Sequence, residues 1–181
     1  RITWLFLPMA QEEIDRALFR AGITDPSEIR LRLAESHLPD EVDVLLDVEN
    51  ESIDDLNALA QATAGLSDDS RRKLGAVMTM AKPKKAEQIK NLAENLDLFD
   101  FAPGTYTPEE YGKYMIQRSG YFDYDENLDE FYDYEGYALQ RMSEEDGMFT
   151  DRGYIAYKGY TSLAEIMESS QSSRMEMGGM V

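Results

Sequence analysis

Proline and glycine residues divide this chain into short segments, and they limit its secondary structure to short helices and strands. The breakers are Pro8, Gly22, Pro83, Pro103-Gly104 and Gly120. Proline fixes φ and lacks a backbone N–H, while glycine commonly ends a helix in a left-handed conformation. Several predicted elements end at one of these positions, and the sequence shows no internal repeat. We predict an α+β fold built from three small modules in a row.

The first module, residues 1–50, is predicted to be a small sheet with one helix. Apolar residues alternate with others over residues 2–6 and 29–33, and less regularly over residues 42–48. Such alternation is typical of strands. Between the first two segments, residues 11–21 place apolar side chains at helical spacing, which predicts a helix.

The second module, residues 51–95, is predicted to be a compact helical unit. Ser52 starts a capping-box pattern in front of the first helix, and Ser67 begins the second. Pro83 interrupts the pattern, and a third helix follows it.

The third module, residues 96–160, is predicted to mix strands and helices. Residues 97–102 form its first strand, and Thr107-Pro108 supplies a capping residue and a first-turn proline for a helix that Gly120 ends. A β-hairpin is predicted over residues 148–157. Residues 161–181 are expected to form a short helix and a loose tail.

The charge of this chain is high and unevenly distributed. There are 36 Asp and Glu residues against 18 Lys and Arg, for a net charge of -18. Acids concentrate in residues 35–55 and 121–146, whereas residues 71–90, the basic block, carry one acid, Glu87. An acidic surface repels nucleic acid and attracts proteins that bind nucleic acid. For the basic block we favour a solvated face or acidic neighbours within the chain over contact with DNA.

Several classes of function are excluded or disfavoured by residue types. The absence of cysteine excludes disulfides and thiolate metal sites, and His37 is the only histidine, predicted to lie in a surface loop. No phosphate-binding fingerprint is present. No segment resembles a signal peptide or a membrane span. We therefore expect a cytoplasmic protein that is not an enzyme and that needs no cofactor.

A calcium site over residues 123–135 is one alternative. Oxygen-bearing side chains occupy alternate positions there, as in an EF-hand loop: Asp123, Asp125, Asn127 and Asp129. Position 6 of the loop is Leu128 where the turn requires glycine, and position 12 is Tyr134 where the site requires glutamate. Two defining positions therefore fail.

Specific segments of the chain resemble the ArdA family of antirestriction proteins. Residues 53–60 read I-D-D-L-N-A-L-A, like the start of that family's middle domain. A strand, a helix ending in glycine and an acidic connector follow in the family's order. Residues 132–138 then read Y-D-Y-E-G-Y-A, and a glycine-bearing hairpin closes the match at residues 147–155. Residues 4–8, W-L-F-L-P, are similar to the family's entry motif, so the resemblance covers about residues 2–158.

The resemblance implies an elongated, three-domain protein that forms a homodimer through its C-terminal module. It further implies a DNA mimic, encoded by plasmids or conjugative transposons, that occupies the DNA cleft of type I restriction-modification enzymes without catalysis. The partners are then that enzyme and a second copy of the chain, with no direct nucleic acid and no membrane.

Sixteen carboxylates are the candidate partner-binding surface. The main group lies in the C-terminal module: Asp123, Asp125, Glu126, Asp129, Glu130, Asp133, Glu135, Glu144, Glu145 and Asp146. An extension lies in the first module: Glu35, Asp40, Glu41, Asp43, Asp47 and Glu49. The other alternative is a divergent interaction or regulatory module of a mobile element, with the same fold but without restriction inhibition.

Overall fold

The structure, a computed structural model, describes residues 1–168 and contains eight α-helices and three strands within them. The helices are α1 (Gln11–Arg20), α2 (Glu41–Leu45), α3 (Ile53–Thr63), α4 (Asp68–Ala81), α5 (Ala86–Ala93), α6 (Pro108–Gln117), α7 (Tyr134–Ser143) and α8 (Leu163–Glu168). The strands are β1 (Phe99–Pro103), β2 (Asp146–Thr150) and β3 (Gly153–Tyr157). The predicted α+β fold class is confirmed.

The three strands form one antiparallel sheet in the order β1-β3-β2. Ile155 of β3 lies opposite Phe101 of β1 and opposite Met148 of β2. Because neighbouring residues of a strand point to opposite faces, this register gives the sheet two distinct faces. Both faces are covered by helices.

The larger core joins the sheet to the middle of the chain. Phe99 and Ile155, on one face of the sheet, pack with Leu74 and Val77 of α4. The same buried cluster includes residues of α2, α3, α5 and α8, so it draws on all three predicted modules. The domain boundaries themselves stay a prediction.

The opposite face of the sheet holds a smaller core. Ala102 and Tyr154 pack there with Tyr111 and Met115 of α6 and with Ala138 of α7. This second core holds α6 and α7 against the sheet. It therefore positions the acidic stretch, which lies between these helices and in α7.

The helix boundaries follow the predicted local signals. The side chains of Ser52, Ser67 and Thr107 each accept a hydrogen bond from the backbone N–H three residues later, at 3.1 to 3.2 Å. α4 ends at Ala81 because the next residue, Lys82, is left-handed with φ 52°, directly before Pro83. The predicted helix starts and stops are confirmed at these sites. None of the helices in residues 1–168 is long and apolar enough to cross a bilayer.

The predicted sheet of the first module is wrong. No residue of the segment 1–50 lies in a strand, and residues 2–6 and 29–33 have no regular secondary structure. Strands need a partner that completes the backbone ladder, and alternation alone does not supply one. Over residues 42–48, Val42 and Leu46 are both buried, and their four-residue spacing is that of a helix face. The predicted helix over residues 11–21 is confirmed as α1.

Candidate acidic interaction surface

Most of the predicted carboxylates are exposed, and short local turns hold the C-terminal group in place. Exposed members of that group are Asp123, Asp125, Glu126, Glu130, Asp133, Glu135, Glu144 and Asp146. Residues 126–131 form a 3-10 helix, and α7 follows it. These elements form because Asp125 and Asp133 accept hydrogen bonds from backbone N–H groups at their N-termini, both at 2.9 Å. The acids thus shape the surface that displays them.

Asp129 is only partly exposed, and it anchors the turn that carries the exposed acids. Its Oδ1 accepts hydrogen bonds from the Tyr124 hydroxyl at 2.7 Å, from Gln117 Nε2 at 3.0 Å and from the Tyr134 hydroxyl. These bonds, first those from the two tyrosines, hold the pKa of the Asp129 carboxyl below its usual value. The structure therefore places Asp129 as an anchor for the acidic turn, although the sequence predicted it as a displayed charge.

Tyrosine rings stiffen the same turn. The rings of Tyr124 and Tyr132 lie 5.8 Å apart between centroids, as do those of Tyr132 and Tyr134. Aromatic pairs at such distances add stabilisation beyond the area that they bury. The structure matches the interpretation that the interleaved tyrosines give the acidic stretch its rigidity.

Glu145 is a buried ion-pair centre, so its place on the predicted exposed surface is wrong. Its side chain is 4% exposed, and it lies 2.6 Å from Arg141 Nε and 3.6 Å from Lys158 Nζ. The hydroxyls of Tyr111 and Tyr154 donate to it at 3.0 and 3.3 Å. Burial, together with this carboxylate, raises the pKa of both tyrosines above the usual value.

Arg141 was not among the predicted functional residues, yet it organises this cluster. Its Nε donates to the Tyr111 hydroxyl at 3.0 Å and its Nη1 to the Tyr137 hydroxyl at 3.2 Å. The sequence carried one signal for it, since Arg141 and Glu145 are four residues apart, the spacing of an ion pair on one helical face. Tyr137 has the same four-residue spacing on α7, whereas Tyr111 comes from α6 and could not be read from spacing.

The carboxylates of the first module divide in the same way. Glu35, Asp40, Asp43, Asp47 and Glu49 are exposed. Glu41 instead forms a two-pronged pair with Arg152, with Oε1 at 2.5 Å from Nε and Oε2 at 3.1 Å from Nη2. This pair links α2 to the turn between β2 and β3. Glu41 therefore belongs to the internal scaffold and contributes little to a displayed surface.

The calcium alternative has no support in the geometry. The structure of residues 1–168 contains no group of three acidic or histidine side chains that could hold a metal ion. Asp129 is engaged by three donors, and Asp125 Oδ1 accepts from both the backbone and the side-chain nitrogen of Asn127. The carboxylate oxygens that would bind calcium therefore accept hydrogen bonds from neighbouring residues.

The basic block is divided into paired and unpaired cations. Arg71 and Arg72 pair with acids three residues earlier, at 3.8 and 3.1 Å, and Lys90 pairs with an acid four residues later at 3.8 Å. Lys84 and Lys85 lie exposed in the loop between α4 and α5, with no acidic side chain of residues 1–168 within 4.0 Å. The preference for a solvated face and internal acidic neighbours agrees with these positions. His37 is exposed in an irregular segment, as predicted.

Comparison with protein families identifies a match that covers most of the chain. The family model described as antirestriction protein (ArdA) matches residues 3–156 of the 181-residue chain. No curated protein matches the sequence. The matched region includes both acidic groups, the smaller core, the whole sheet except Tyr157, and the larger core except Tyr157 and Ile166.

Proposed function

The chain belongs to the ArdA family of antirestriction proteins, and we propose that it inhibits type I restriction-modification enzymes as a non-enzymatic DNA mimic. In this proposal the exposed carboxylates occupy the basic cleft that normally holds DNA. Protein clefts lined by one sign of charge concentrate ligands of the opposite sign, whether these are phosphates or carboxylates. The proposed setting is the cytoplasm, where such enzymes meet incoming DNA.

One observation carries the proposal: exposed acids lie on a turn that tyrosines hold rigid. Glu126, Glu130 and Glu135 are exposed and make no hydrogen bond or ion pair with their side chains in the described residues. A flexible acidic tail would lose conformational entropy on binding, whereas a preorganised surface avoids much of that loss. The tilted, contacting tyrosine rings and the Asp129 anchor provide this preorganisation.

Charge arithmetic indicates that local surfaces, and not average charge, carry the mimicry. Duplex DNA has about one charge per 1.7 Å of helix axis. A net charge of -18 therefore corresponds to roughly 30 Å of duplex, and a dimer to roughly 60 Å. Three of the sixteen predicted carboxylates, Glu41, Asp129 and Glu145, are not exposed and are engaged by partners within the chain. The remaining acids have to match phosphate positions locally.

Dimerisation through the C-terminal module is part of the proposal. Large apolar side chains are exposed there: Phe122 at 45%, Phe131 at 81%, Leu139 at 51% and Met148 at 37%. Contiguous exposed apolar surface marks protein interfaces, and the proposal places these four side chains in one such interface. Sedimentation of the full chain should give a dimer, and Phe131→Ser should shift it toward monomer.

The decisive experiment is competition with DNA for a purified type I enzyme. We expect the triple variant Glu126→Gln, Glu130→Gln and Glu135→Gln to inhibit DNA cleavage about tenfold more weakly, because each exposed charge pair contributes roughly 0.2–1 kcal/mol. Inhibition should also weaken steeply as salt rises.

The matched control removes the same three charges elsewhere. Glu12, Glu13 and Glu28 are exposed acids outside both acidic groups, and their triple Gln variant should inhibit nearly as well as the unchanged protein. Equal loss in both triple variants would show that only total charge matters, and it would contradict the proposed surface.

A second candidate is a divergent module that keeps the fold without inhibiting restriction. The unpaired loop lysines Lys84 and Lys85 favour it, because cations oppose entry into a basic cleft. If the full chain neither binds a type I enzyme nor protects DNA at low salt, this second candidate replaces the first.

A further inference from the structure

β1 is an edge strand, and all five of its residues line a groove of about 480 Å³. Residues from both faces of β1 line the groove. Residues of α4 form one wall, and residues of α6 and of the segment after it form the other. Because β3 covers the inner side of β1, a groove that reaches both helical layers spans the outer edge of the strand. Among residues 1–168, no strand pairs with that edge.

The backbone of β1 offers unused hydrogen-bonding groups along the groove. Gly104 N–H donates to the Arg152 carbonyl at 3.0 Å, so the even-numbered residues of β1 bond toward β3. In an antiparallel pair the residues between them point their N–H and C=O groups outward, and these residues are Phe99, Phe101 and Pro103. Pro103 has no N–H, and its C=O accepts a hydrogen bond from the Thr105 hydroxyl at 3.3 Å. The Phe99 N–H already bonds to the Leu96 carbonyl. Three groups are left for an incoming strand: the Phe99 C=O and both groups of Phe101.

The two walls of the groove differ in chemistry. Lys73 of α4 is half-buried and makes no ion pair within 4.0 Å with a described carboxylate. Its burial lowers the pKa of the ammonium group below the usual value, although Asp100 and Asp97 act in the opposite direction. The other wall carries the aromatic side chains of Tyr114 and Tyr121. Two acids also line the groove, Asp69 and Asp100. Asp69 pairs with Arg72 at 3.1 Å, so Lys73 is the cation of the α4 wall that a carboxylate can engage, whereas the tyrosine wall favours apolar or aromatic groups.

We propose that β1 is a docking edge for an extended peptide segment of a partner protein, with acidic and apolar side chains in alternation. A peptide residue paired with Phe101 points its side chain to the α4 layer, where it meets Lys73, because paired residues share a face. Its two neighbours point to the α6 layer and meet the tyrosines. Addition of a strand to a free sheet edge is a common mode of peptide recognition, in which backbone bonds supply affinity and alternate side chains supply specificity.

The charge of Lys73 argues for a peptide rather than a second copy of β1. In a pairing of two β1 edges, each Lys73 faces the apolar Phe99 and Phe101 of the other copy, so the cation gains no carboxylate partner. A peptide with a carboxylate at that position supplies one. The site is separate from the exposed acids, so its success or failure does not depend on the proposed inhibition.

The test uses the full chain and the probe acetyl-Val-Glu-Val-Glu-Val-amide. We expect saturable binding in calorimetry at low salt, with NMR amide shifts concentrated in residues 99–103. Lys73→Gln should weaken binding about tenfold, because a hydrogen bond to a charged group is lost. Lys84→Gln, an exposed lysine outside the groove, is the matched control and should leave the affinity within about twofold.

Two further probes separate strand addition from simple charge attraction. Methylation of both glutamate backbone nitrogens removes the donors to the β1 carbonyls, and it should weaken binding about five- to tenfold even if Lys73→Gln does not fold. A peptide with lysine in place of glutamate should not bind. Equal weakening by Lys73→Gln and Lys84→Gln, or shifts outside residues 99–103, would overturn the proposal. The proposal would also be overturned if, without peptide, the amide signals of residues 99–103 shifted as the protein concentration was raised. That result would assign the edge to a second copy of the chain.

Discussion

Replacing Glu145 by glutamine should destabilise the fold, whereas the same change at the adjacent Glu144 should not. The two residues are neighbours in sequence and carry the same charge. The side chain of Glu145 is 4% exposed and contacts Arg141, Lys158 and two tyrosine hydroxyls. Glu144 is exposed and makes no side-chain hydrogen bond or ion pair in the described residues. The pair thus compares a buried charge with a displayed one.

The magnitude follows from the burial of each partner. Breaking a fully buried pair costs about 3–5 kcal/mol, because it leaves a charge without compensation. Arg141 is 26% exposed and Lys158 is 36% exposed, so water replaces part of the lost interaction, and glutamine keeps one acceptor oxygen. We expect Glu145→Gln to lower the free energy of unfolding by about 2–3 kcal/mol, and Glu144→Gln by less than about 0.5 kcal/mol.

Urea unfolding followed by near-ultraviolet circular dichroism of the tyrosines and by far-ultraviolet circular dichroism measures both variants. For a chain of 181 residues, 2–3 kcal/mol corresponds to a fall in Tm of roughly 5–10 °C. Glu144→Gln should instead reduce inhibition slightly without changing Tm. If both variants unfold at the same urea concentration within error, the Glu145 cluster contributes no more than a surface charge, and the reasoning from burial is refuted.

The remaining predictions concern packing, a tether and pH. Gly112→Ala should destabilise by about 1–3 kcal/mol, because its Cβ would strike the backbone of α7, whereas Gly65→Ala, which meets nothing within 4 Å, should be neutral in the same urea titration. Asn57→Ala should cost roughly 1–3 kcal/mol and increase hydrogen exchange at Met9, since its side chain bonds both Met9 N–H and C=O at 2.9 Å. The folded state lowers the pKa of Asp129. The ionised carboxylate therefore stabilises the fold above the unfolded pKa, near 3.8, and this stabilisation is lost as pH falls below that value. Between about pH 6 and pH 3 the urea midpoint should therefore fall less for Asp129→Asn than for the unchanged protein.

Local signals predicted α3, α4, α5 and α6 because those signals act over a few residues, whereas α7, inside the acidic stretch, was not predicted. A serine or threonine oxygen that caps a helix meets an N–H only three residues away, as at Ser67 and Thr107. Proline and left-handed residues end helices through their own backbone, as Lys82 and Pro83 do after α4. The hairpin of β2 and β3 is likewise local, so it too was predictable.

Long-range partners decided the rest. Residues 2–6 alternate like a strand, but no other segment of residues 1–168 pairs with them, and Ile2 and Phe6 are 87% and 81% exposed. The alternation over residues 42–48 failed for a related reason, because Val42 and Leu46 bury against the larger core as one helical face. Sequence periodicity describes which side chains seek burial, and the available partner surface selects the conformation that buries them.

The acidic character of this protein, its family and the helix ends that local caps set follow from the sequence alone, because they depend on residue types and on contacts between near neighbours. The function of each carboxylate does not follow from the sequence. Glu144 and Glu145 are identical in sequence terms, yet one is displayed and the other is enclosed by tyrosines and cations from α6, α7 and the end of β3. Charge is a property of the residue, whereas exposure and pairing are properties of the packed chain, and only the tertiary structure separates the acids that can face a partner from those that hold the fold together.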